Sequence, residues 1–573
     1  MRALCLRKSI GRENRKKYMN RHTHPTMNLF KSTTTAPIAI DSINRMPLRR
    51  AFFLIPLVLA CFAFLPQMGA APDSPEVDCP NGVPCWIPIH TPPRFNVGVA
   101  LLLTDGNIMV QENGTPNWYE LIPDNFGFYR SGSWHQLRSM PSGYKPLYFA
   151  SAVLKNGHVI IEGGEYNGIF NDTNLGAIYD PVANHWTPVP HPDHWSQIGD
   201  APSVVLPNGT FMLGNCCDNP AQAALLDEAS LTWTVLTMAS GYAGKFDINN
   251  EEGWTLLPNG TVLTVDTYLG VPYDRHGTNS EIYDPAAPGG GHRGAWTSAG
   301  STVVQLWDSK AACGGPTGAS YEIGPAVLRP DGTVFATGSN TCLPLTAGHT
   351  AIFDTTTKTW TRGHDIPDGN DAADAPAAIL PDGNVLVDTN PRYGRNPSTL
   401  YEYKLDGTGW KRIPQPPGLN PSNTEGGRML VTPDGTILLA HVGFPQIWFY
   451  VPAGTYRQSW RPTITTCPAT VTVGSTYTVS GTQFNGLSQG AAFGDDAQSA
   501  TNYPIVRIRN NASGEYHFAR THGFSTMAVA TGNMPTSTKF DVLPGTQSGM
   551  STLQVIANGI PSAPRAIHVN PGR

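Results

Sequence analysis

The stretch Pro330-Asp331-Gly332-Thr333-Val334-Phe335 ends one short apolar run, turns through Asp-Gly and starts another. An Asp-Gly or Asn-Gly pair between alternating apolar residues is typical of a β-hairpin, because glycine adopts positive φ without steric cost. Seven such turns occur along the chain, with their third-place glycines at Gly106, Gly157, Gly209, Gly260, Gly332, Gly383 and Gly435. Five of the six intervals are 51 or 52 residues, and the fourth is 72. The stretch therefore belongs to a repeated β-unit.

Each unit has room for four strands. An aromatic-acid pair followed by a tryptophan recurs about twenty residues after several turns, as in Tyr179-Asp180 with Trp186. A period near 50 residues is typical of kelch propeller blades. The sequence thus predicts an all-β fold with a seven-bladed kelch-type β-propeller over residues 97–460, because radially arranged sheets bury their faces against one another. The long interval is interpreted as an insertion around residues 289–291 and 303–320, in loops on one rim.

The pattern changes after Trp460. Short alternating strands such as Tyr477-Thr478-Val479-Ser480 and Thr552-Leu553-Gln554-Val555-Ile556 are separated by Gly and Asn turns. Residues 461–573 are predicted to form one immunoglobulin-like (E-set) β-sandwich. Residues 72–96 are set apart as an N-terminal segment.

Residues 1–71 are predicted to lie outside the fold. Met46-Pro47-Leu48-Arg49-Arg50, the apolar run 51–65 and Gly69-Ala70-Ala71 have the basic start, apolar centre and small-residue end of a secretory signal. We therefore expect a secreted protein, extracellular or periplasmic, with a signal at about 46–71 and no membrane span in the mature chain. These 71 residues hold 12 of the 38 basic and 2 of the 43 acidic residues, so the remainder carries a formal charge near −15. Such a charge disfavours nucleic acid as a partner.

Seven of the nine cysteines follow the signal. In an oxidising compartment we expect Cys79 to pair with Cys85 and Cys313 to pair with Cys342. The adjacent Cys216 and Cys217 are either a vicinal disulfide or two thiols, and Cys467 is left over.

A secreted kelch-type propeller followed by an immunoglobulin-like domain resembles the galactose oxidase and glyoxal oxidase family of copper radical oxidases. The resemblance covers residues 73–573. In that family copper is held on the propeller axis by a tyrosine that is thioether-linked to a cysteine, by a Tyr-His pair and by a histidine of the C-terminal domain. The resemblance therefore implies an oxidase site, which the residues of this chain only partly supply.

Two positions match the family's copper ligands. Tyr148 stands nine residues before Gly157, where the cross-linked tyrosine is found, and His522 in Thr521-His522-Gly523 resembles the family's histidine loop. The resemblance makes Tyr148 and His522 an incomplete copper set. The cysteine and Tyr-His positions instead read Asn96-Val97-Gly98 and Glu425-Gly426, and the stacking aromatic is Tyr166 rather than tryptophan. Copper needs nitrogen or soft ligands, and the oxidation needs the Tyr-Cys radical, so the sequence does not supply a complete copper site.

The replacing residues suggest a different site. The first strand of each blade lines the axial channel, so residues nine or ten positions before each turn glycine should converge on one axial mouth. These residues are Val97, Tyr148, Asp200, Glu251, Glu322, Asp374 and Glu425. Five are carboxylates, which are costly to bury together unless a cation, shared protons or a basic partner compensates. Arg428 and His522 are predicted to project over the same mouth, whereas His441 and the other scattered histidines are interpreted as surface or rim residues.

Three hypotheses compete with the oxidase. The mouth binds an extracellular carbohydrate, another small molecule or a hard cation such as calcium, through Tyr166, Asp200, Glu251, Glu322, Asp374 and Arg428. Alternatively the chain is a non-copper hydrolase or lyase in which two acids act as general acid and base, with Tyr148, Glu425 and His522 as the catalytic candidates. In the third hypothesis the acids only cap strand ends around a solvated pore. Whether the chain is an enzyme stays open, and a monomer is expected.

Overall fold

The computed structural model describes residues 79, 83–168, 172–217, 221–236, 245–250, 252–267, 277–287, 293–307, 322–339, 347–391, 396–419, 423–493 and 501–572. The predicted signal 46–71, the residues Glu251, Cys313 and Cys342, and most of the predicted rim insertion lie outside the described residues.

Thirty described strands precede the C-terminal domain. In chain order they are β1 Cys85–Pro88, β2 Val97–Leu102, β3 Ile108–Glu112, β4 Trp118–Ile122, β5 Ser133–Gln136, β6 Pro146–Leu147, β7 Ala150–Val153, β8 Val159–Glu162, β9 Tyr166–Asn167, β10 Gly176–Asp180, β11 His185–Val189, β12 Ser203–Val205, β13 Phe211–Gly214, β14 Ala223–Asp227, β15 Thr232–Leu236, β16 Trp254–Leu256, β17 Val262–Val265, β18 Asn279–Asp284, β19 Ala295–Ser301, β20 Ala326–Leu328, β21 Thr333–Thr337, β22 Thr350–Asp354, β23 Thr359–Arg362, β24 Pro376–Ile379, β25 Val385–Thr389, β26 Thr399–Tyr403, β27 Trp410–Arg412, β28 Gly427–Val431, β29 Ile437–His441 and β30 Ile447–Val451.

Twenty-eight of these strands form seven antiparallel blades among the described residues, and β6 and β9 form a separate two-stranded sheet. The innermost strands of blades 1 to 7 are β2, β7, β12, β16, β20, β24 and β28, and β28 contacts β2 to close the ring. The predicted seven-bladed propeller is confirmed. The outermost strand of blade 7 is β1, which pairs with β30. This strand comes from the N-terminal segment 72–96. Ring closure by the N-terminal strand gives blade 7 four propeller strands, the number that each other blade also has.

The recurring aromatic-acid-tryptophan pattern has a physical explanation. Tyr179 and Trp186 lie opposite each other on β10 and β11, with ring centroids 5.1 Å apart. Asp180 accepts the backbone N–H of Val182 at 2.8 Å and so fixes the turn between those strands. Blades 4 and 5 repeat both contacts. The motif therefore builds the outer hairpin of a blade, and its aromatic pair fills the space between blades.

The C-terminal domain has nine further strands in its own sheet, and one more strand, β34, that pairs in the propeller. They are β31 Thr463–Thr466, β32 Thr470–Thr472, β33 Thr476–Thr482, β34 Ala491–Phe493, β35 Ile505–Asn510, β36 Tyr516–His522, β37 Thr536–Asp541, β38 Gly549–Ala557, β39 Ile560–Pro561 and β40 Arg565–Asn570. Both halves of the sheet contribute to one apolar core that includes Val479, Phe540 and Val555. The predicted β-sandwich is confirmed. Short 3-10 helices span Tyr129–Ser131, Pro367–Gly369, Thr424–Gly426 and Gln458–Trp460.

The propeller axis has two different ends. Each innermost strand starts at the mouth and finishes at the repeated glycine turns, which we call the turn end. The C-terminal domain contacts the turn end: the N–H groups of Thr521, Phe524 and Met527 donate to carbonyls of blades 1, 2 and 3 at 2.9–3.2 Å. β34 runs from there toward the mouth along the free edge of β24 and ends with Phe493 level with Pro376. A cavity of about 60 Å³ remains between blades 2 to 4 and this domain.

Candidate functional site

The mouth carries backbone strain at two equivalent positions. Tyr148 has φ 49° and Asp374 has φ 46°, and each lies two residues before its innermost strand. Residues with a Cβ rarely adopt this left-handed region, which costs roughly 1–2 kcal/mol per residue. Such strain persists only where the surroundings enforce it, and it concentrates at functional sites.

Tyr148 is held between an aromatic ring and a cation. Its ring centroid lies 5.8 Å from that of Tyr166 at an interplanar angle of 65°, and the Arg428 guanidinium carbon lies 5.4 Å from the Tyr148 centroid. Arg428 Nη1 donates to the carbonyls of Glu425 at 3.0 Å and Gly427 at 2.6 Å. Arg428 belongs to blade 7 and Tyr148 to blade 2, so the contact joins blades that are not neighbours in the ring. The structure thus brings together three residues that the sequence analysis placed at the mouth.

The predicted carboxylates differ in exposure. Asp374 and Glu425 are half-buried, whereas Asp200 and Glu322 are 6% and 5% exposed. Glu251 lies outside the described residues, and Val97 is fully buried within β2. Of the described acids at the predicted mouth, Asp374 and Glu425 are therefore the two that a ligand in solution can reach most readily.

A buried acid and histidine lie behind Arg428. Asp388 Oδ2 and His441 Nε2 are 3.9 Å apart, and both side chains are almost fully buried. Desolvation raises the pKa of Asp388 to about 7. Desolvation, and then the Arg428 charge, lower the pKa of His441 to about 4. The interpretation of His441 as a surface or rim residue is wrong, because it ends β29 opposite Gly427 and faces blade 6.

Asp200 points to sulfur rather than to other acids. The Cys216 thiol donates to Asp200 Oδ1 at 3.1 Å and to Asn250 Oδ1 at 3.5 Å. No disulfide joins Cys216 to Cys217, so among the described cysteines the alternative of two thiols holds and the vicinal disulfide does not. The predicted disulfide between Cys79 and Cys85 is present.

Blade 4 has a second buried charge cluster. Lys245 Nζ lies 2.5 Å from Asp266 Oδ1, 3.0 Å from Glu252 Oε2 and 3.1 Å from Glu281 Oε2, and all four side chains are at most 3% exposed. Desolvation raises the pKa of Glu252 to about 7, against the lowering effect of Lys245. The repeat pattern gives no sign of this cluster, because its lysine lies in the connection between two blades.

His522 does not reach the mouth. A Cβ built on Gly157 would lie 3.6 Å from His522 Cβ, which places His522 at the turn end of blade 2. Its Nε2 faces Asp541 Oδ1 at 3.2 Å. Strands rise roughly 3.3 Å per residue, so the four residues of β7 keep Tyr148 and His522 on the order of 15 Å apart. The prediction that they share a metal or a catalytic centre is corrected: β36 docks flat on the turn end, and β34 is the strand that extends toward the mouth.

The described residues do not fit a copper ion at the mouth. Tyr148 has a guanidinium over its ring, and a cation there opposes a second cation at the phenol. His441 is buried against Asp388, and Cys216 lies in blade 3. The nitrogen and soft ligands that copper prefers are therefore not gathered around Tyr148 in the described part of the chain.

Comparisons with known proteins give structural likenesses but no match in sequence. No protein-family model matches the chain, and no curated protein matches it. A solved fungal alcohol oxidase of the AA5 family, in complex with copper, is similar over 85% of this chain and 100% of its own, with 14% identity and a TM-score of 0.48. A likeness at that level says nothing about which residues act here. None of the helices described is long and apolar enough to cross a membrane.

Proposed function

We propose that this chain is an exported propeller that binds an extracellular carbohydrate at its mouth. The observation that carries the proposal is the Tyr148 ring, held on a strained backbone between Tyr166 and Arg428. Sugars stack their apolar faces on aromatic rings and use a few placed polar groups for orientation. The strained backbone of Tyr148 holds a partly exposed ring in a fixed position, as expected if that ring contacts a ligand.

The polar groups at the mouth suit a hydroxylated ligand. Asp374 and Glu425 are half-buried, so their carboxylates can accept hydrogen bonds from sugar hydroxyls or pair with an amino group. The hydrogen bonds from Arg428 Nη1 to two carbonyls fix its guanidinium before a ligand arrives. A preorganised cation and ring reduce the entropy that binding costs.

Export is supported by two features. The Cys79–Cys85 disulfide is typical of an oxidising compartment. The sequence before it has the pattern of a secretory signal, and the remainder carries a formal charge near −15. Detection of the protein, cleaved after about residue 71, in the culture medium or periplasm would test this part of the proposal.

Calorimetric titration with galactose, glucosamine and their oligomers tests the binding site. Tyr148→Ala should weaken the best ligand at least tenfold, or about 1.4 kcal/mol, because the stacking surface is lost. Tyr456→Ala is the matched control, because it also removes a tyrosine ring beside a guanidinium. Arg461 lies 5.7 Å from the Tyr456 ring centroid, and this pair is away from the mouth. Equal affinity of the wild type and Tyr148→Ala, or no binding of any of these sugars to the wild type, would overturn the proposal.

A further inference from the structure

Two adjacent thiols and a carboxylate meet at the mouth end of blade 3. Asp200 precedes β12, and Cys216 and Cys217 follow β13, so the hairpin of these two strands brings the three residues together. One oxygen of Asp200 and the sulfurs of Cys216 and Cys217 all lie within 4.8 Å of one another. Zinc bonds of roughly 2.0–2.3 Å keep two ligand atoms of one ion less than about 4.6 Å apart. The cluster is therefore close to the spacing of a metal site.

A glycine leaves room for both sulfurs. Gly199 has φ 77°, and a Cβ built on it would lie 2.7 Å from Cys217 Sγ and 3.5 Å from Cys216 Sγ. The neighbouring backbone is fixed, because Cys216 N–H donates to the Ile198 carbonyl at 3.2 Å and Cys217 N–H donates to Asn215 Oδ1 at 3.1 Å. The two thiols are thus gathered over one glycine by defined contacts.

A fourth donor comes from the next blade. Asn250 Oδ1 lies 3.5 Å from Cys216 Sγ, and Asn250 itself is buried. Cys216 and Asp200 are buried as well, whereas Cys217 is partly exposed and gives access from solvent. Two sulfurs, a carboxylate oxygen and an amide oxygen make a compact mixed donor set, different from the oxygen-only acids that the sequence analysis considered.

We propose that Asp200, Cys216 and Cys217 bind a thiophilic divalent metal ion of the zinc type. Thiolates favour such ions over calcium, and a carboxylate completes sets of this kind in zinc sites. Both thiols release their protons to solvent when the ion binds, so affinity falls as the pH is lowered. The site needs no sugar, and its metal is measured without one, so its failure leaves the carbohydrate proposal standing.

Metal titration of the mature protein tests the site. The reduced protein is titrated with Cd²⁺, which gives an ultraviolet sulfur-to-metal absorption, and then with Zn²⁺ in competition. We expect one equivalent to bind with thiolate absorption, and each of Cys216→Ser, Cys217→Ser and Asp200→Asn to weaken binding at least tenfold. Cys467→Ser is the matched control, because it removes a described thiol in the C-terminal domain.

Two further measurements keep the result interpretable. Circular dichroism of each variant without metal shows whether it is folded, and a thermal melt of the wild type should shift upward with Zn²⁺, because an ion that binds only the folded state stabilises it. Two results would overturn the proposal directly: no thiolate absorption in the reduced wild type, or undiminished metal binding in the folded variants. A third would be a Cys216–Cys217 disulfide in peptide maps of the protein, together with no metal binding once that disulfide has been reduced.

Discussion

The two ends of the propeller axis are built from the same seven repeats but differ in regularity. At the turn end, the seven turn glycines have φ between 82° and 98°, and the C-terminal domain covers several of these turns. At the mouth, the equivalent positions hold different side chains, and among the described ones Tyr148 and Asp374 lie on strained backbone. The repeat therefore explains the architecture, and the departures from the repeat indicate where ligands are bound.

The largest expected effect comes from removing a buried charge. Lys245→Met should destabilise the protein by about 3–5 kcal/mol, because it leaves three buried carboxylates without their ammonium. Urea unfolding of Arg412→Met is the matched control, since Arg412 pairs with Asp368 at 3.6 Å and both side chains are mostly exposed. An exposed pair contributes only about 0–1 kcal/mol. Equal losses in the two variants would contradict the assignment of Lys245 as the support of blade 4.

The same cluster gives a pH dependence with a defined sign. Burial raises the pKa of Glu252 from 4.5 to about 7, so the folded state binds a proton that the unfolded state has released in this interval. Proton binding by Glu252 therefore adds to the free energy of unfolding below about pH 4.5, and this addition is lost as the pH rises to about 7. The loss caused by Lys245→Met should be smaller at low pH, where the carboxyls take up protons.

A side chain at the turn end should have the next largest effect. In Gly106→Ala the new Cβ would lie 2.5 Å from the Phe518 ring at φ 82°, so we expect a loss of roughly 2–4 kcal/mol from backbone strain and overpacking. In Gly114→Ala, at φ 70°, the new Cβ has no atom within 4 Å, so only the strain remains. The unfolding free energies of both variants test this expectation. If Gly114→Ala lost as much as Gly106→Ala, the Phe518 contact between the two domains would contribute nothing to the difference.

The smallest expected effect on stability is at the mouth, where stability and sugar binding should change in opposite directions. Asp374→Gly relieves a positive φ and should raise the unfolding free energy by no more than about 1 kcal/mol, while affinity for the bound sugar falls. Lys358→Gly relieves φ 57° at an exposed turn and should leave affinity unchanged. If Asp374→Gly also bound sugar normally, neither the Asp374 carboxylate nor the strain at this position would have a role in binding.

The sequence predicts the fold well because the turn glycines and the aromatic-acid-tryptophan motif are local. Each needs only residues of its own blade, as the Tyr179 and Trp186 pair illustrates. The placement of Tyr148 and Arg428 at one end also follows from their position in the repeat. Contacts between blades do not follow from it: the Asp388 and His441 pair and the Cys216 contact with Asn250 join residues of different units.

The position of His522 could not be predicted from its surrounding residues. Its loop resembles a copper-binding loop, but its place depends on how β36 docks on the turn end. That docking includes backbone hydrogen bonds to carbonyls, which every residue type except proline can donate, so the side chains around His522 alone do not reveal it.

The most direct test of the mouth as the ligand site is a crystal structure of the protein soaked with the sugar that binds best in titration. We expect sugar density against the Tyr148 ring, within hydrogen-bond distance of Asp374 or Glu425. Sugar density at the turn end or on the C-terminal sandwich, with the mouth unchanged, would contradict it.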